Sequence, residues 1–386
     1  MYILFNKTLQ IAPLLVIACL WGCSVSDESS EESNDAGTGL DAGNADSDAG
    51  PDAGDVDDAG DSQNDGGPEY DPCWSVMDAA LPEGVSLNGV WGSGLDDVFA
   101  AGGIREDSDG GIKTAIMHFN GTSWSRMDIP DIPGFIHFIQ GNSSGRVCTL
   151  SSSGYLMIFD GTKWNVSTTG LSGNDNRSDF VDFFYINDDD VYLTRALGFY
   201  IQLYHYNGEA WISPLDSGSL WGIWASNGND VYVAAGRAGL HHYDGADWSL
   251  IQIPDAVAID VWGSSKENVY VIAPVDMDNN ALLHFNGFSW DIVTEQIPLK
   301  HKPIRISGSD QDDVYVHGVV YEVDGSVGIA QESIVYHYDG NKCSKMRIPQ
   351  SWIIMNIWAA SEGEAFAVGY DREDEKARIF RYSCGQ

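Results

Sequence analysis

Several groups of residues have the types and spacing that chemistry needs. Nine histidines are available to ligate a metal, and five of them, His118, His205, His242, His284 and His337, stand just ahead of a Gly-containing turn. Gly141-Asn142-Ser143-Ser144-Gly145 fits the Gly-x-Ser-x-Gly string of serine hydrolases. Asp276-Met277-Asp278-Asn279-Asn280 sets acids at calcium-like spacing, without the glycine and distal glutamate of an EF-hand loop. Asp182 and Asp260 recur at one register with Arg305 and Asn356, and two convergent carboxylates can serve as acid and base on a glycosidic bond. The string His-Glu-x-x-His, the pair Cys-x-x-Cys, a phosphate loop and a dinucleotide fingerprint are all missing. No metal or cofactor is expected.

The elements that must hold these residues are repeats. An apolar strand ending in Trp-Gly, a short polar turn and Asp-Val-Tyr opening a second apolar strand recur as Trp91-Gly92 to Asp97-Val98-Phe99, Trp224 to Asp230-Val231-Tyr232, and Trp262-Gly263 to Asn268-Val269-Tyr270. The Trp-to-Val spacing of these copies places weaker ones at Gln140 to Val147, Phe184 to Val191, Ser307 to Val314 and Trp358 to Ala365. A second half follows each first half: a strand ending His-Phe/Tyr, a turn Asn/Asp-Gly-x-x, and Trp opening a fourth strand at Trp124, Trp164, Trp211, Trp248 and Trp290, with Cys343 in that place in the sixth copy. Asn-Gly and Asp-Gly between β-rich runs predict hairpins, because both turn residues tolerate positive φ. Dividing residues 73 to 386 by seven gives about 45 per unit, the size of a propeller blade. The expected fold is all-β, a seven-bladed β-propeller of four-stranded antiparallel blades.

The seventh unit stops at Phe380-Arg381-Tyr382-Ser383-Cys384 without a fourth strand, while Cys73-Trp74-Ser75-Val76-Met77-Asp78 matches Ser123-Trp124-Ser125-Arg126-Met127-Asp128. Residues 74–78 therefore complete the last blade, which removes open sheet edges. The same register sets Cys384 at the Gly121 position and Cys73 at the Ser123 position, so a Cys73 to Cys384 disulfide is expected. Cys148 and Cys343 fall too far apart to pair.

The repeats explain much of the apparent chemistry away. Five histidines at one repeat position in five blades cannot converge on an ion, and are expected to hydrogen-bond beside the hairpin. Trp91, Trp224, Trp262 and Trp358 are expected to fill the wedges between blades. The Gly-x-Ser-x-Gly string falls on a strand-to-strand turn, not the strand-to-helix elbow that a hydrolase needs.

Two places remain for a ligand. The connections between second and third strands vary, from Gly236–Gly239 up to a long loop over His317–Glu332, and variable loops on one face are where repeat proteins bind. Asp107, Asp109, Arg195, Tyr200, Arg237, Asp276, Asp278 and Tyr370 to Arg372 are candidates there, with Tyr200 and Tyr370 as exposed rings for a sugar face. On the innermost strands, the position two before the repeat Trp reads Gly89, Phe138, Asp182, Gly222, Asp260, Arg305 and Asn356, alternating with an apolar set. If the first set lines the central channel, Asp182, Asp260, Arg305 and Asn356 cluster there.

Charge and the amino-terminal segment bear on partners and address. The 386 residues carry 57 acids against 20 Lys plus Arg, a formal charge of −37, which excludes a nucleic-acid binder because phosphates would be repelled. Lys7, the short apolar run Ile11 to Leu20, and Leu20-Trp21-Gly22-Cys23 read as an export signal too short to span a bilayer. Leu-x-Gly-Cys resembles the lipobox of bacterial lipoproteins; that resemblance implies a signal over 1–22, acylation of Cys23 as the membrane anchor and, with Ser24 following, sorting to the outer membrane. Residues 24 to 72 hold 16 acids and no Lys or Arg, with Asp-Ala-Gly repeated, so 23–72 reads as a disordered linker with a span of roughly 35 to 42 Å. The propeller domain is then 73–386.

The blade pattern resembles that of exported bacterial propeller lipoproteins and, more distantly, tectonin-type and kelch propellers. The resemblance implies architecture and no catalytic residue, because propellers host many functions. The expected function is a monomeric, membrane-anchored, extracytoplasmic binding or scaffold module for an envelope or extracellular protein or glycan. The alternative is a glycan-active enzyme using Asp182 and Asp260. Carboxylates neutralised by Arg305 would argue for structure instead.

Overall fold

The computed structural model describes residues 70–384, apart from 106–110, 172–178, 216–217, 254–255, 275–278, 299–303 and 325–326. Cys23, the export signal, the linker up to residue 69, and Asp107, Asp109, Asp276 and Asp278 lie outside the described residues.

The chain is a seven-bladed β-propeller. Seven four-stranded antiparallel sheets follow one another, and each first strand touches that of the next blade until the last returns to the first. Blades 1 to 7 occupy 85–126, 136–168, 180–212, 223–251, 260–298, 304–345 and 352–383. All seven repeat positions fall in one register: Trp91 faces Phe99, Gln140 Cys148, Phe184 Tyr192, Trp224 Tyr232, Trp262 Tyr270, Ser307 Tyr315 and Trp358 Phe366. Trp74–Val76 pairs with the last strand, Trp74 opposite Tyr382, and closes blade 7. Cys73 and Cys384 are bonded across that turn with Cα atoms 5.0 Å apart, while Cys148 and Cys343 are free.

Packing between blades is set by complementary residue sizes. A Cβ on Gly92, Gly141, Gly263 or Gly308 would lie within 2.9 Å of the ring of Trp358, Trp91, Trp224 or Trp262, each on the preceding blade. Truncating such a buried ring costs about 3–5 kcal/mol. Where a polar residue replaces the Trp, it bonds the backbone of the next blade instead: Gln140 accepts from the Tyr185 amide at 2.9 Å and Ser307 from the Ala359 amide at 3.2 Å. A large ring thus goes with a glycine across the seam, and a polar side chain goes with a larger neighbour whose amide it satisfies.

One local expectation gains detail and another is corrected. In the turns of the form Asn/Asp-Gly-x-x only the glycine is left-handed, as at Gly121 with φ 84°, and the preceding Asn or Asp is not. Asn120 Oδ1 accepts the amides of Thr122 and Ser123 at 3.1 and 3.0 Å, so these turns are capped by their own side chain. The long loop expected over 317–332 is largely strand: Asp313–Asp324 pairs with Val327–Tyr338 out to Asp324 and Val327, forming a hairpin arm. Its base packs Val319 and Ala330 against Ile353 of blade 7, with Met355 and Tyr370 beside them.

Candidate functional site

Each repeat histidine reaches with its side chain to the residue that opens the second strand of its own blade. His118, His205, His242 and His337 bond Asp97, Asp190, Asp230 and Asp313 at 2.7 Å, and His284 bonds Asn268 at 3.0 Å. Each imidazole stacks on the aromatic two residues further along, as His205 does on Tyr192 with centroids 4.0 Å apart. Blade 7 keeps the arrangement with other groups: Arg381 pairs with Glu364 at 3.1 Å and lies 5.5 Å from the Phe366 centroid. In blades 4 and 6, Ser226 and Ser309 donate to the far oxygen of the same Asp. The carboxylate therefore stands between hydroxyl and imidazole, an order that leaves the serine without a base. These groups latch the blades shut.

The channel cluster is the second chemical centre. Arg305, on the first strand of blade 6, reaches across the ring and donates to the Val181 carbonyl of blade 3 at 2.8 Å, with its other Nη 3.7 Å from Asp260 Oδ1. Asp182 Oδ2 accepts the Ile223 amide at 2.7 Å, and Asp260 Oδ2 accepts the Ile306 amide at 2.9 Å, so each carboxylate ties its blade to the next. Gly222 is required beside them, because a Cβ there would fall 2.0 Å from Asp260 Oδ1. Burial pushes both carboxyls above the usual carboxylate range, and the Arg305 charge opposes it. Asn356 sits on the same ring of positions, opposite Val368 in its own blade.

Two histidines that the repeat pattern does not single out complete the cluster. His137 occupies the bulge that ends the regular pairing of blade 2, and its buried Nε2 has no protein partner. His317 is 2% exposed; its Nε2 faces the Met355 carbonyl at 3.3 Å, and its Nδ1 is unpartnered. Burial, reinforced by Arg305, lowers both to about 4, which keeps them neutral. One guanidinium serves the two carboxyls, and one oxygen of each carboxyl is held by a backbone amide of the next blade. These bonds join blades 3, 4, 5 and 6 around the axis, with Arg305 as the cation beside the Asp260 carboxyl.

The loop-face candidates separate. Tyr200 is 60% exposed, and the tight turn that carries it also presents Phe199 at 84% and Leu197 at 39%. Phe199 is not among the sequence candidates, although its flanking Gly198, left-handed at φ 67°, marks the turn. Arg195 is not a free surface cation: its guanidinium turns back to Asp179 at 3.4 Å. Tyr370 is not an exposed ring either, since it packs against the hairpin arm with its hydroxyl 3.4 Å from the Ala330 carbonyl. Arg372 is engaged with Gln331, its Nη2 donating to Oε1 at 3.0 Å.

No protein-family model and no curated protein matches the chain. Solved structures do. YCF48 bound to D1 peptide aligns with TM-score 0.51 at 11% identity, over 82% of this chain and 98% of that one. YCF48 from Cyanidioschyzon merolae gives 0.51 at 9%, over 80% and 98%. The β-propeller domain of the Trilobed protease from Pyrococcus furiosus, described as having an open velcro topology, gives 0.53 at 9%, over 78% and 96%. At such identities the likeness is one of fold, and it agrees with the architecture: this chain is similar to other β-propellers.

Proposed function

We propose that the chain is a non-catalytic binding module that engages a polypeptide through its variable loop face, and that it is displayed outside the cytoplasm by acylation of Cys23 and the acidic linker. The exposed turn Leu197-Gly198-Phe199-Tyr200 carries this reading. It offers two rings and an aliphatic side chain to solvent beside a ring whose own polar centre is neutralised. Exposed aromatics are what interface hot spots are built from. A peptide-bound propeller among the similar structures favours a protein over a glycan as the partner.

The test is capture from an envelope extract and a glycan array, comparing the wild type with Phe199→Ser and Tyr200→Ser. A specific protein held by the wild type and lost in both variants supports the reading. A glycan retained by all three, or one cleaved during incubation, refutes it. Palmitate labelling that disappears in Cys23→Ser tests the anchor.

A further inference from the structure

At the rim, each wedge between blades is filled by the tryptophan that opens a fourth strand. Trp124 packs into the seam between blades 7 and 1, Trp164 between 1 and 2, Trp211 between 2 and 3, Trp248 between 3 and 4, Trp290 between 4 and 5, and Trp74 between 6 and 7. In every case the indole lies 5.2–5.5 Å from the ring opposite it on the third strand. The remaining seam, between blades 5 and 6, has Cys343 in this place, opposite Tyr338. The ring platform is there and the indole is not.

A groove of about 580 Å³ opens at this seam, bounded by Ile292, Val293 and Glu295 on blade 5 and by Lys342 and Cys343 on blade 6. Val293 stands three residues after Trp290, the place where Met77, Met127, Ile251 and Met346 meet the indole of the following blade. Ile292 beside it is 62% exposed. The strand that carries them, Trp290–Pro298, has 9 residues against 2 to 5 in the other fourth strands, and among the described residues no strand pairs with its outer edge. An extended segment can add to such an edge while one side chain enters the adjoining pocket.

We propose that this seam receives an aromatic side chain, an indole above all, presented by an extended polypeptide partner. The six filled seams define the occupant: the same platform and the same facing aliphatic position enclose tryptophan wherever the chain supplies it. Substituting Cys for Trp vacates that volume in a single place, next to the longest of the fourth strands. Glu295 and Lys342 at the margin offer charges of both signs to the flanking residues of the partner. This rim site is separate from the loop face, and neither rests on the other.

The experiment is a methyl NMR titration of the folded protein with N-acetyl-L-tryptophanamide, read at Ile292 and Val293. Saturable shifts are expected, weakened by at least about tenfold with N-acetyl-L-leucinamide and lost in Cys343→Trp, whose own ring fills the seam. Cys343→Ser should retain them. If Cys343→Trp does not fold, Ile292→Glu, at an exposed position, should give the same loss. An absence of saturable shifts up to the solubility limit, equal response to the leucine amide, or shifts that persist in both blocking variants overturns the proposal. Capture by the loop face lost in Phe199→Ser yet kept in Cys343→Trp distinguishes the two sites.

Discussion

Blade 7 and the seam between blades 5 and 6 depart from the common blade plan in opposite directions. Blade 7, where the ring is cut, has its histidine–aspartate latch replaced by Arg381–Glu364 and a covalent bond set across the turn. Blade 5 has the neutral Asn268 in its latch, and the seam to blade 6 has a cysteine in place of the rim indole. At its axial end, however, the same seam is fixed by Asp260 and Arg305. Reinforcement is concentrated where the backbone is interrupted and at the axis, and is relaxed at the rim, where continuous chain already holds the blades together.

This contrast can be broken most directly at the cut. Cys384→Ser, or reduction, should lower unfolding stability by roughly 3–5 kcal/mol in chemical denaturation, because the bond spans 311 residues of sequence. A loss below 1 kcal/mol, on the order of an ordinary surface change, would mean that strand pairing alone closes the ring. Next comes the axis: Arg305→Met leaves Asp182 and Asp260 buried without their cation and should cost about 3 kcal/mol at neutral pH. That cost should shrink as the pH falls and the two carboxyls take up protons.

A smaller effect separates the axis from blade 7 by pH. His137 and His317, lowered from 6.5 to about 4, contribute stability that is complete above 6.5 and disappears as the pH falls towards about 4. The raised carboxyls of Asp182 and Asp260 act in the other sense: their contribution is present below the ordinary carboxylate pKa and is lost as the pH rises through the raised values. His137→Phe should therefore reduce the acid-side fall in stability by about 2 kcal/mol, leaving amide exchange in blade 7 unchanged. The smallest effect belongs to the blade 5 latch. Asn268→Asp, which restores the common pair with His284, should add about 0.5–1 kcal/mol at pH near 5.5, fading as the imidazole loses its proton.

The fold was legible because its signals are local. Trp91, Trp224 and Trp262 stand at one distance from their Val, and the match of Cys73–Asp78 to Ser123–Asp128 revealed both the closure and the disulfide. The latches were not legible, although both halves of each motif were in view. The second-to-third connections differ in length, so Asp and His stand 21, 15, 12, 16 and 24 residues apart and no fixed spacing betrays them. Asp182, Asp260 and Arg305 could be placed on one ring of positions by period-two alternation. That Arg305 crosses to Val181, 124 residues away, depends on its reach through the channel, which no spacing encodes. Tyr370 is hidden for a related reason: the arm that covers it looks in sequence like an open loop, and the dipeptide Asp324-Gly325, as a sequence signal, is all that points to a hairpin there.

The position of the disulfide also decides how the domain carries load. The closing strand is only three residues long, and a pull on the chain ahead of Cys73 would peel Trp74–Val76 from Phe380–Tyr382 one pair at a time, the weakest way to load a β-ladder. Apart from the single bond of the Asp71 amide to the Arg347 carbonyl, Cys73 is the first tie ahead of that strand, so the tension passes through sulfur to Cys384 before it reaches Trp74. The propeller thus meets force from its amino-terminal side as a closed hoop with a bolted joint, and the short strand serves as a gasket.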